Sequence, residues 1–142
     1  MGMNVGKRGV AAALAGAALA VGMAAAPASA EVSATLICDT TGARGVVVVN
    51  DWQNGGTSFP VSIAVGDNLA DGHHVRVRVV GRAEDGDWIY WPWHANYDGN
   101  GTAKSWSSTA NFSGGIYDMG VQAARFEGDT LLNYCTDWMK ET

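Results

Sequence analysis

Beyond residue 30 the chain has no long apolar run, so nothing there is built to cross a bilayer as a helix. Positive charge is also scarce, with 9 Lys and Arg against 14 Asp and Glu over the full sequence. An acidic balance disfavours nucleic acid and anionic membrane surfaces, because like charges repel the phosphates. Only two cysteines occur, Cys38 and Cys135, and their wide spacing excludes a C-x-x-C redox pair. The motifs of common catalysts are missing as well. There is no G-x-S-x-G, no phosphate-binding loop, and no cysteine left for a Cys–His couple once the two cysteines pair. A full calcium loop of the D-x-[DN]-x-[DN]-G type is absent, although Asp85, Asp87, Asp98 and Asn100 supply oxygen donors in turns. His73, His74 and His94 do not read as a zinc site, since neighbouring strand residues point to opposite faces. The expectation is a non-enzyme with no cofactor and no metal.

What is present begins with an export signal. Lys7 and Arg8 form a positive start, and an Ala, Gly, Val and Leu-rich run extends from Gly9 to about Ala26. The segment closes on Pro27-Ala28-Ser29-Ala30, the small-x-small pattern that a signal peptidase cuts. Residues 1–30 are read as a secretory signal peptide and residues 31–142 as one secreted domain of 112 residues. Its Ala and Gly bias suits a high-GC bacterial source. Removing Lys7 and Arg8 leaves 7 basic against 14 acidic residues, a net charge of −7. In an oxidising compartment Cys38 and Cys135 form one disulfide that ties the first element of the domain to the last.

The hydrophobic pattern of the domain has period two rather than 3.6. Val32, Ala34, Leu36 and Cys38 share a face; Val46 to Trp52 is β-branched; Phe59, Val61, Ile63 and Val65 alternate with small or polar residues. In His73 to Arg82, Val75, Val77 and Val79 face one way, and His74, Arg76, Arg78 and Arg82 the other. Trp88 to His94, Ala103 to Thr109 and Ile116 to Phe126 read as further strands, the last with an irregularity at Gly120. Leu131 to Cys135 reads as a short strand or helical turn. Thr40 to Gly45, Gln53 to Thr57, Gly66 to Gly72, Glu84 to Asp87, Asp98 to Gly101 and Asn111 to Gly115 read as turns or loops. Seven or eight short strands predict an all-β fold, a small antiparallel β-sandwich of immunoglobulin-like or jelly-roll-like type. The segment Asp98-Gly99-Asn100-Gly101-Thr102-Ala103 resembles the turn-and-strand entry of secreted bacterial immunoglobulin-like domains, over those six residues.

Two clusters carry the functional expectation. Trp88-Ile89-Tyr90-Trp91-Pro92-Trp93-His94 packs four large aromatics into seven residues. Simple alternation places Trp88 and Tyr90 on one face, and Ile89, Trp91 and Trp93 on the other, with Pro92 at an edge or bulge. Exposed aromatics stack on sugar rings or fill partner pockets; the competing reading is core filler. Trp52 and Trp106 are candidates to extend the patch. The arginines Arg76, Arg78 and Arg82 form a stripe suited to an anionic ligand, or to cross-strand pairing with the abundant carboxylates. The expected ligand-binding residues are Trp88, Tyr90, Trp91, Trp93, Arg76 and Arg78. The expected partner is a polysaccharide or an extracellular protein, with no nucleic acid and no membrane after signal cleavage. The oligomeric state is not legible. The expected location is extracellular or at the cell wall. The alternative function is a protein-binding factor such as an inhibitor of a secreted hydrolase, acting through Gly66–Gly72 or Asn111–Gly115.

Overall fold

The computed structural model describes residues 32–139, all of them strand, turn or loop. The signal peptide read over residues 1–30 lies outside the described residues. Among the described residues, nine antiparallel strands form two sheets. The first sheet holds β1 (Ala34–Thr40), β2 (Ala43–Val49), β3 (Gly56–Asp67) and β7 (Ala103–Ile116), in the order β1-β2-β3-β7. The second holds β4 (His74–Arg82), β5 (Trp88–Tyr90), β6 (His94–Asn96), β8 (Asp118–Glu127) and β9 (Thr130–Trp138). Its order is β5-β4-β8-β9, with β6 also paired to β4. The result is the expected antiparallel sandwich with one disulfide, built from one strand more than expected.

Alternation explains the layering. Leu36, Val47, Val49, Phe59, Val61, Ile63 and Val65 from the first sheet meet Val75, Val77, Val79, Met119, Val121 and Ala123 from the second, all buried. Apolar residues every second position give each sheet one dry face, and two such faces close into a core.

The disulfide joins Cys38 on β1 to Cys135 on β9, with Cα atoms 5.8 Å apart. Two sheets normally pack about 10 Å apart, so this corner must be pinched. Small residues allow it. Gly45 lies opposite Cys38 in one ladder, and Ala123 lies opposite Cys135 in the other. A Cβ placed on Gly45 would stand 2.7 Å from the Ala123 Cβ, closer than two carbons can sit.

Several boundaries differ from the sequence reading. The turn after β1 is only Thr41-Gly42, and β2 already starts at Ala43. Asn111 to Gly115 is not a loop; it belongs to β7, where Ser58 pairs with Asn111. The irregularity expected at Gly120 falls instead at Tyr117, between β7 and β8, and at a register shift between Arg125 and Phe126. The last element is a full strand that runs three residues past Cys135. Ala103 to Thr109 is strand as expected, and polar composition hid only the second half of β7, because an edge strand needs few apolar residues to complete its ladder.

Candidate functional site

The site begins with a bulge. Tyr90 on β5 is opposite Val80 of β4, and His94 on β6 is opposite Val77. Between those pairs, Arg78 and Val79 of β4 face three residues, Trp91, Pro92 and Trp93. One extra residue breaks the ladder and reverses the parity of every side chain after it. Pro92, which has no N–H to donate, sits in the break. Trp91 turns inward against the core, its ring over the bare Cα of Gly81, where a Cβ would lie 2.9 Å from Trp91 Cζ3. Trp93 turns outward to join Trp88 and Tyr90. The alternation expected for this segment, with Trp91 and Trp93 together, is therefore corrected: the two rings lie on opposite sides of the sheet. Of the six expected ligand-binding residues, Trp88, Tyr90, Trp93, Arg76 and Arg78 share the outer face of the second sheet, and Trp91 does not.

Arginines and aromatics interleave on this face. The Arg78 Cζ lies 4.3 Å from the centroids of both Tyr90 and Trp93. Arg76 lies 4.1 Å from Phe126, and Arg82 lies 4.3 Å from Trp138. Cations within about 6 Å of a ring face are attracted by its quadrupole. Trp88 stacks on Tyr90 at 5.6 Å and meets Trp138 edge-on at 4.8 Å, and Trp93 meets Phe126 edge-on at 5.5 Å. Trp88, Tyr90 and Tyr134 keep 42%, 54% and 57% of their surface exposed.

The face is a trough rather than a plane. Two outward residues of β8, Gly120 and Ala124, are small, so the floor is low between the rings of β5 and those of β9. Gly120, opposite both Val80 and Trp138, lets the indole lie down; a Cβ there would come 2.9 Å from Trp138 Cε3. Ala124, opposite Tyr134, is the other small residue of this floor. A depression of about 400 Å³ results, lined by Arg78, Trp88, Tyr90, Trp93, Gln122 and Tyr134, with Leu131 at its rim. Its floor carries a polar row. Arg78 Nε donates to Gln122 Oε1 at 2.7 Å, and Gln122 Nε2 donates to Thr136 Oγ1 at 3.0 Å. Burial lowers the Arg78 guanidinium from its ordinary pKa, while its interaction with Tyr90 acts to raise it.

Sequence reasoning missed Gln122, Phe126, Tyr134 and Trp138. The signal for β9 was present: a disulfide puts Cys135 inward, so Tyr134, Thr136 and Trp138 must point outward. The two expected extensions of the patch are elsewhere. Trp52 packs on Phe59 at 4.8 Å, and Trp106 packs beside His94 at 5.0 Å, both against the core.

A second depression, about 290 Å³, lies at the loop end, lined among others by Asp67, Asp71, His73, His74, Tyr97 and Glu127. Most of its polar groups are engaged, although Asp67 Oδ2 is buried without a hydrogen-bond partner among the described residues. Arg125 Nη1 donates to Asp71 Oδ2 at 2.6 Å, and His73 Nδ1 contacts Glu127 Oε2. Burial acts to raise the Asp71 carboxyl, but the His73 N–H and the Arg125 guanidinium outweigh it and hold the group below its usual range. Burial, then the Arg76 charge, pushes His74 below the ordinary imidazole value. The turn carboxylates considered for calcium do local work: Asp85 Oδ1 accepts the Asp87 N–H, and Asp98 pairs with Lys104 at 3.2 Å. Among the described residues, no group of three His, Cys, Asp or Glu is placed to hold a metal ion.

Fold and face together define a class: a small disulfide-closed β-sandwich with an arginine–aromatic trough on one outer sheet face. No protein-family model matches the chain, and no curated protein matches it either.

Proposed function

We propose that this chain is an exported, non-catalytic binding domain that takes a glycan in the trough of the second sheet. The observation that carries the reading is the bulge at Pro92. It gathers Trp88, Tyr90 and Trp93 on one exposed face, opposite Tyr134 and Trp138 of β9. Flat rings around an open trough suit pyranose rings, which present apolar C–H faces for stacking. Exposed aromatic surface of this extent is costly in water and marks an interaction site more often than ornament. A disulfide across the domain is consistent with an extracellular protein. The alternative, an extracellular protein-binding factor such as a hydrolase inhibitor, draws less support. Of its two candidate loops, Asn111–Gly115 lies within β7, as a bulge after the Ser58–Asn111 pair rather than a free loop.

The test is a pull-down of the oxidised protein on cellulose, chitin and peptidoglycan, read also by tryptophan emission. Saturable binding with an emission shift is expected, and Trp93→Ala should weaken it by about tenfold or more with the fold intact. Absence of binding to all three, or full binding by a folded Trp93→Ala variant, would remove the basis of this reading.

A further inference from the structure

Arg78 differs from most other basic residues of the domain in what balances its charge. Arg76 reaches Asp129 at 2.9 Å, Arg125 reaches Asp71 at 2.6 Å, Lys104 reaches Asp98 at 3.2 Å, and Arg44 reaches Asp39 at 3.5 Å. Arg78 is half-buried beneath two rings, and its neighbours in the polar row, Gln122 and Thr136, are neutral. Among the described residues no carboxylate forms an ion pair with it. Its Nε is used by Gln122, and no other hydrogen bond among the described residues engages the guanidinium. A guanidinium carries five N–H donors in a planar fork, so the terminal nitrogens keep the pair of donors that matches a carboxylate or sulfate edge. Withdrawing that charge from water without a counter-ion is unfavourable, and the guanidinium stays protonated regardless. A bound anion would compensate the charge where it stands.

Resting on the glycan reading above, we propose that the trough selects acidic sugars, with a ring-borne carboxylate or sulfate on Arg78 and the pyranose ring on Trp93 and Tyr90. The anionic group and the sugar ring must then belong to one ligand, because the guanidinium lies 4.3 Å from both rings. The domain's net charge of −7 gives no long-range attraction. At physiological ionic strength that repulsion is screened beyond about 8 Å, so selection is a contact effect at one arginine rather than steering.

The experiment is calorimetric titration of the oxidised protein in 0.15 M salt (about physiological) with three short probes: a galacturonic acid tetramer, a sulfated carrageenan tetramer, and neutral cellotetraose. At least one acidic probe should bind about tenfold tighter than cellotetraose. Arg78→Gln should weaken that probe by about 10- to 100-fold, the scale of a charge-assisted hydrogen bond, and by at least several-fold more than it weakens cellotetraose. Arg78→Lys, which keeps the charge and loses the fork, should fall between. Which acidic probe wins separates carboxylate from sulfate. Equal or tighter binding of cellotetraose, or an acidic preference that survives in Arg78→Gln, would overturn the inference and leave the glycan reading standing. Failure of every probe and of the three insoluble glycans would overturn both. If Arg78→Gln does not fold, the wild-type ratio and Arg78→Lys decide.

Discussion

His74 shows how one side chain couples the loop end to pH. Its ring stacks on Tyr97 at 4.3 Å and on Phe126 at 5.9 Å, and its Nε2 accepts from Arg76 Nε at 2.9 Å. That acceptor requires a neutral imidazole, and protonation would put two cations in contact. Burial and Arg76 lower the folded pKa, while Asp129 and Glu127 act the other way and His73 adds to the lowering. Below the ordinary value of 6.5 the unfolded chain therefore binds more protons than the folded one. The stability from neutral His74 is complete above that pH and is lost as pH falls through it toward the lower folded value. The melting temperature of wild type should fall between pH 7.5 and pH 5 by more than that of His74→Gln, a prediction on the scale of one titrating group, where imidazole charge changes between about pH 5 and 8. Equal falls would show that His74 is not the coupled group. Gly45 makes the same point for packing. Gly45→Ala should cost about 1–3 kcal/mol, measured by urea denaturation, because the added methyl overlaps Ala123 and crowds Val77 and Val121.

At the scale of the element, one inserted residue decides what the aromatic segment does. Trp91 and Trp93 have the same chemistry and lie two positions apart, yet Trp91 packs on the core and Trp93 flanks Arg78. Their substitutions should separate cleanly. Trp91→Ala should lower unfolding free energy by about 3 kcal/mol, the usual cost of emptying a packed aromatic site. Trp93→Ala should change it by less than half as much and act on ligand binding instead. Equal losses of stability would place both rings in the core and contradict the bulge. The same contrast measures how far the segment was legible. Its aromatic density and the role of Pro92 as a bulge marker could be read directly. Which side each ring would take could not, because parity depends on the register of β5 and β6 against β4.

At the scale of the whole molecule, the disulfide closes the chain on itself, with a sequence separation of 97 between Cys38 and Cys135. In the chain-entropy picture a loop of this length contributes about 4–5 kcal/mol by restricting the unfolded state. A domain of this size has only about 5–15 kcal/mol in total. Reduction, or a Cys38→Ala/Cys135→Ala double substitution, should therefore lower the denaturation midpoint sharply and steepen the denaturant slope, because the uncrosslinked unfolded chain exposes more surface. A midpoint unchanged by reductant would mean that the core alone holds the two sheets. The pinched corner suggests which half of the stability depends on the bond. Contacts between β1 and β9 are local to the disulfide, whereas the Val-rich centre of β2, β3, β4 and β8 is continuous without it.

The sequence by itself determined the all-β class, the period-two faces of β3 and β4, the single disulfide, and the gathering of tryptophan and arginine in two stretches. Those follow from side-chain alternation and composition, which are local. Only the tertiary structure decided that β7 and β9 run long, that Trp93 leaves Trp91 to join Trp88, Tyr90, Tyr134 and Trp138, and that Arg78 is left facing a trough with no carboxylate among the described residues. The physical reason is that register, bulges and charge pairing are set between strands distant in sequence. Gly120 and Ala124 shape the trough floor through partners on β9 and β4, and no pattern within β8 alone carries that information.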